Sequence, residues 1–135
     1  MNWIVTVVGS REHYALPRAF GRRGQLLRLY TDAWCGFGRG LLGKGPAGWR
    51  ALAGRYHPEI PSDRVTAFTG RLLLDRFTGP RFRNHDAAIL NYLRIGREFC
   101  EAVNRDVGAR LLDGAPFAFY GYDTACLESM QMLMQ

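Results

Sequence analysis

Residues 1–32 constrain the fold of this chain more than any other stretch, because they read as strand, loop, helix and strand in succession. Met1 to Val8 (MNWIVTVV) is a short, nearly continuous apolar run carried by Ile4, Val5, Val7 and Val8. A run without polar alternation suits a strand buried on both faces, as in a parallel sheet. Gly9-Ser10-Arg11-Glu12-His13 interrupts it with polar residues. Beyond it, Tyr14, Leu16, Ala19 and Phe20 share one helical side and Arg18, Arg22 and Arg23 the other, with Gly24 as the closing C′ residue. Proline is tolerated in the first turn of a helix, so Pro17 places the helix start near His13 or Tyr14 and leaves Gly9 to Glu12 as a loop. Leu26 to Tyr30 (LLRLY) reads as the second strand. A right-handed crossover then puts the Gly9–His13 loop at the carboxyl end of the first strand, the edge where open α/β sheets bind ligands.

At 135 residues the chain has the length of a single domain with a genuine core. Its 18 basic and 12 acidic residues leave a net charge of +6, which attracts phosphates, anionic lipid or nucleic acid. No basic run exceeds Arg22-Arg23, which argues against a nucleic-acid-binding arm. Cys35, Cys100 and Cys126 are widely spaced and form no C-x-x-C, so neither a disulfide framework nor a zinc site is implied. The first apolar run lacks a preceding basic region and is too short for a signal peptide or a membrane span. A cytoplasmic protein is expected, with contact to the inner face of the cell membrane as an option.

Farther along, the stretch Ala33 to Trp49 is rich in glycine and aromatics. Gly38 to Gly43 fits G-x-G-x-x-G, but it follows the second strand and not the first. Gly38 to Lys44 opens like a phosphate-binding P-loop, but Gly45 stands where Ser or Thr must be. A connection is expected there, and its aromatics either pack on the domain or face an acceptor. Gly48 to Tyr56 reads as a short helix with Trp49, Leu52 and Ala53 on one face, ended by His57-Pro58. Val65 to Phe68 has strand composition, and Leu72-Leu73-Leu74 opens an apolar segment that Gly79-Pro80 closes. Asn84 is a suitable N-cap for the strongest helix, with Asp86 in its first turn. Ile89, Tyr92, Leu93, Gly96, Phe99, Cys100 and Val103 form its apolar side, Asn91, Arg94, Arg97, Glu98 and Glu101 its polar side, and the pattern continues to Leu111. A turn at Asp113 to Pro116, a buried-type strand at Phe117 to Tyr120 and a final helix capped by Asp123 or Thr124 complete the order.

The residues VVGSREHYALPRAFGRRGQLLRLYTDAW resemble the opening of glycosyltransferases with the two-domain GT-B fold, specifically the family-4-like group. The features that carry the resemblance are Gly9 at the end of an apolar strand, His13 in the loop and Arg18 on the helix. Gly24 at the turn and Leu26 to Leu29 leading to Tyr30 and Thr31 complete it. It implies an α/β, Rossmann-like parallel sheet with helices on both faces, here as the N-terminal, acceptor-side domain, residues 1–135. It also implies a sugar acceptor and a nucleotide-sugar donor as substrates, a hexosyltransferase type of reaction, and no obligatory bound metal or other cofactor. The second, donor-binding half would be missing, and the last helix ends without a stop signal, so the domain is expected to be incomplete. A truncated chain, a fragmentary gene product and a standalone half that works with a partner are the three readings of that expectation.

Two loops carry the candidate site. In the first, Gly9 either lets a substrate approach the backbone or merely makes a tight turn, and Ser10 and Arg11 flank it. His13 either binds an acceptor hydroxyl or sits at the helix start. The second is the strand end Tyr120-Gly121-Tyr122-Asp123, where many family-4 enzymes carry a histidine that lines the interdomain cleft. Tyrosines stand there instead, suited to hydrogen-bonding and stacking on a sugar. His13 and Asp123 are the candidate catalytic groups, Asp123 as a general base or as the last helix's N-cap. The two loops should face each other across a cleft, and Gly9→Val should cost transfer more than stability. His57 and His85 read as surface or capping residues. Two rivals stand beside the transferase. A different Rossmann-like nucleotide-binding domain is disfavoured by one glycine where the fingerprint has three. A basic module would use Arg18, Arg22, Arg23 and Arg28 on a membrane or acidic partner.

Overall fold

The computed structural model describes residues 1–70, 84–111, 114–122 and 126–134. Strand β1 (Asn2–Val7) is followed by helix α1 (Ala15–Arg22), strand β2 (Leu26–Thr31), two short helices α2 (Arg39–Leu42) and α3 (Ala47–Ala53), and strand β3 (Val65–Ala67). Helix α4 (His85–Arg110), strand β4 (Phe117–Gly121) and helix α5 (Leu127–Leu133) complete the described elements. The Leu72–Leu74 segment, the Gly79-Pro80 stop, Asp113, Asp123 and Thr124 lie outside the described residues.

The four strands form one all-parallel sheet in the order β3-β2-β1-β4, with helices on both faces. The chain is therefore an α/β protein of Rossmann-like architecture. β1 is central, and its apolar run is sealed: Ile4 and Val5 have no exposure. Ile4 faces a core of Tyr30, Phe99, Val103 and Val107, which belongs to α4 and to partly buried Met132 and Leu133 of α5. Val5 and Val7 face the other way, onto Tyr14, Leu26, Leu29 and Ile60, with Phe20 of α1 packed behind them. One extra residue in β2, Leu27, sits between the pairs Trp3–Leu26 and Ile4–Arg28. This bulge resets which side chains of β2 reach each face.

Local signals account for the boundaries. Gly24 has φ +66 at C′, its amide donates to the Gly21 carbonyl (3.0 Å), and the Gln25 amide donates to Phe20 (2.9 Å). These two bonds form a Schellman closure, which points the chain directly into β2. The Asn84 side chain accepts the Asp86 amide at 2.8 Å and starts α4. Glu59 accepts Arg18 Nε at 2.6 Å and also pairs with Arg22, tying α1 to the segment before β3. Arg28 donates to the Asp63 carbonyl (2.9 Å). Three of the four arginines expected to face a partner thus have partners within the chain.

The apolar side expected for α4 holds only in its second half. Gly96, Phe99, Cys100, Val103 and Val107 are buried, whereas Ile89, Tyr92 and Leu93 are 44, 42 and 55% exposed. The reason is reach: β1 and β2 are six residues long, and α4 is 26. At 1.5 Å per helical residue the helix overruns the sheet it covers.

Candidate functional site

β1 sits where the strand order reverses: the crossover to β2 goes to one side of it and β4 lies on the other. The loops leaving β1 and β4 therefore emerge side by side at the carboxyl edge, the switch point at which such sheets bind ligands.

The first loop is wound unusually. After Gly9 (φ +93), the chain makes a 3-10 turn at Arg11–Tyr14 in which Glu12, His13 and Tyr14 all have left-handed backbones, φ 50, 49 and 59. Each such non-glycine residue costs about 1–2 kcal/mol. The return is the placement of Tyr14, which is 1% exposed and stacks edge-on against Trp34 at 5.5 Å. Burial raises the Tyr14 hydroxyl above its ordinary range, against the lowering pull of Thr31 and Arg55. While Tyr14 goes in, Arg11, Glu12 and His13 are left exposed at the edge. Helix α1 starts at Ala15, one residue after Tyr14, the later of the two expected starts.

Asp32, the residue just beyond β2, holds the loop from inside. Its Oδ1 accepts the Gly9 amide at 2.8 Å and the Thr31 hydroxyl at 3.2 Å, and Arg55 Nη1 lies 3.6 Å away. A Cβ at Gly9 would come within 3.2 Å of that guanidinium. Gly9 is thus required by its positive φ, and Gly9→Val strains the fold itself, so the variant does not isolate an effect on transfer from one on stability. Asp32 and Arg55 were invisible as site residues in the sequence. An acid placed directly after a buried strand is the one signal that marks Asp32.

The second loop meets the first. The Tyr122 amide donates to the Thr6 carbonyl (3.1 Å) and its hydroxyl donates to Glu12 Oε2 (3.3 Å). Burial, reinforced by the Glu12 charge, pushes the Tyr122 phenol up to about 12. Tyr120 stands edge-on to Tyr122 at 5.4 Å and is 38% exposed. Gly121 is fixed by crowding, because a Cβ there would fall 2.0 Å from Cys126 Cβ and 3.0 Å from Thr6 Oγ1. The two expected loops are therefore brought together, closed on each other by the Glu12–Tyr122 bond, with His13 exposed beside it. Asp123 lies outside the described residues.

Beside this edge, on the α4 face, opens a cavity of about 500 Å³. Val8, Phe68 and Phe99 form its apolar floor, and Asp32, Arg105 and Asp106 stand among its polar walls. Asp106 accepts the Tyr30 hydroxyl (2.8 Å) and pairs with Arg110 (2.8 Å). In the β2–β3 segment, Gly38 (φ +72) starts the single-turn helix α2, so the G-x-G-x-x-G match belongs to a connection. His57 Nδ1 accepts the Glu59 amide at 3.3 Å, and His85 is the exposed first residue of α4. Among the described residues no three His, Cys, Asp or Glu are grouped to hold a metal, and no helix is long and apolar enough to cross a membrane.

No family model, curated protein or solved structure matches the chain. The fold and the site geometry therefore stand on the chain's own residues.

Proposed function

We propose that the chain is the acceptor-side part of a glycosyltransferase that moves a sugar from a nucleotide donor to a hydroxyl. The observation that carries this reading is the juxtaposition of the β1 and β4 loops at the switch point, with an apolar-floored cavity beside them. The resemblance of residues 1–32 to the family-4-like group supports it. In this reading Tyr120 and Tyr122 present aromatic faces and hydroxyls to the acceptor sugar, and His13 hydrogen-bonds its attacking hydroxyl. The chain's contribution is orientation, and the donor diphosphate would be held by a second domain. The test titrates the full 135-residue chain with a panel of free and lipid-linked sugars and then with nucleotide sugars, recording amide NMR shifts and donor consumption. Acceptor-induced shifts at Gly9 to His13 and Tyr120 to Tyr122, without donor consumption, are expected. Shifts elsewhere only, or turnover by this chain alone, would refute the assignment.

One observation favours a second reading. Asp32 follows β2 and lines the cavity, the position from which an acid in dinucleotide-binding folds reaches a ribose hydroxyl. Shifts centred on Asp32 and Val8 on adding NAD or ADP would favour a nucleotide-binding domain instead.

A further inference from the structure

The segment between β2 and β3 leaves three of its large apolar side chains exposed. Its base is closed: the Cys35 amide donates to the Arg55 carbonyl at 2.7 Å, and the Arg39 guanidinium lies 3.7 Å from the centre of the Tyr56 ring, which itself packs on Trp34. Between these anchors α2 and α3 pack on each other, with Leu42, Leu52 and Ala53 half-buried. Phe37, Leu41 and Trp49 stay outside that packing, at 90, 83 and 52% exposure. Ordering such a segment costs conformational entropy that no burial of these three side chains offsets within the chain. Exposed apolar groups gathered on one projection mark a surface that something covers.

Charge identifies what covers it. From Ala33 to Pro58 there is no aspartate or glutamate, while Arg39, Lys44, Arg50 and Arg55 are all basic. Arg39 is engaged on Tyr56 and Arg55 faces Asp32, but Lys44 and Arg50 meet no carboxylate among the described residues. Aromatic and leucine tips flanked by unpaired cations are the chemistry of insertion at the headgroup level of an anionic bilayer, where tryptophan also prefers to sit. We propose that the 35–55 projection docks this protein on an anionic lipid surface, with Phe37, Leu41 and Trp49 entering the headgroup layer and Lys44 and Arg50 contacting its phosphates. The inference is independent of the transferase reading, since Phe37, Leu41, Lys44, Trp49 and Arg50 belong to neither the β1 loop nor the β4 loop. It also moves membrane contact from Arg18, Arg22, Arg23 and Arg28 to a different part of the chain.

The test is flotation of the full chain with vesicles of phosphatidylcholine alone and of phosphatidylcholine mixed with phosphatidylglycerol. Binding to the mixed vesicles, weak binding to the neutral ones and release by salt are expected. At about 1 kcal/mol per basic residue near such a surface, Lys44→Gln with Arg50→Gln weakens partitioning roughly thirtyfold. Phe37→Ser with Leu41→Ser abolishes it, and both variants retain the wild-type melting temperature because these side chains support no core. Fluorescence adds a positional readout. Trp3 is stacked on Phe20 and Trp34 is packed between Tyr14 and Tyr56, so Trp49 is the tryptophan that shifts to the blue and is quenched by brominated lipid. In Trp49→Phe that response is lost while flotation persists. The proposal is overturned if mixed vesicles do not float the chain, if either variant floats as the wild type does, or if the apolar variant changes self-association instead of lipid binding.

Discussion

Two glycines at the carboxyl edge look alike in sequence and are held by different physics. Gly9 needs a positive φ, and Gly121 needs the space that Cys126 occupies. Gly9→Val is expected to cost about 1–3 kcal/mol from backbone strain. Gly121→Ala is expected to cost at least the 1–3 kcal/mol typical of overpacking, because the overlap is with a Cβ and not a flexible side-chain end. Thermal melts separate the two causes. Gly9→Asn should recover much of the Gly9 loss, since asparagine tolerates left-handed backbone, whereas Cys126→Gly should partly rescue Gly121→Ala and leave Gly9→Val unchanged. Legibility differs at this scale too. The glycines and His13 can be picked out from position in a βαβ unit. The Glu12–Tyr122 bond joins residues 110 apart and Asp32–Arg55 joins a strand end to a loop, and no local spacing encodes either.

The long helix and the charged clasp behave as separable elements. Helix α4 carries an apolar stripe along most of its length, but only the part over β1 and β2 is covered. Phe99→Ala is expected to lose about 3–5 kcal/mol, and Leu93→Ala to stay within about 0.5 kcal/mol of wild type, measured by denaturant unfolding. Periodicity reports that a helix has an apolar side, while the length of the sheet beneath decides how much of it is buried. That is why the expected face failed at Ile89, Tyr92 and Leu93. The clasp of Arg18 and Arg22 on Glu59 lowers that carboxyl from 4.5 to about 2, chiefly through their hydrogen bonds. A carboxylate whose pKa falls on folding stabilises the fold while ionised. Its contribution is complete above about 4.5 and is lost as the pH falls toward 2. His57, held neutral mainly by burial and then by Arg18, has its pKa lowered and so also favours the fold as the pH rises. Melting temperature should therefore decline in acid, and Glu59→Gln should flatten the decline in the window below 4.5.

For the whole molecule, the strand positions and the parallel α/β class were legible because each rests on a local run: IVTVV, LLRLY, VTA and FAFY. Strand order was not, since a sheet's neighbours are chosen by which crossover buries more surface and not by any one segment. The order found, β3-β2-β1-β4, has a consequence for how the backbone breathes. β1 is bonded on both flanks, while among the described residues β4 is bonded to β1 alone. Solvent deuterium should enter the amides of Ile4 to Val7 last, at the free energy of global unfolding, and those of β3 and the outward half of β4 far earlier. A ligand that bridges the β1 and β4 loops would slow exchange in β4 selectively, so isotope uptake at Phe117 to Gly121 reads occupancy of the edge without knowledge of what occupies it.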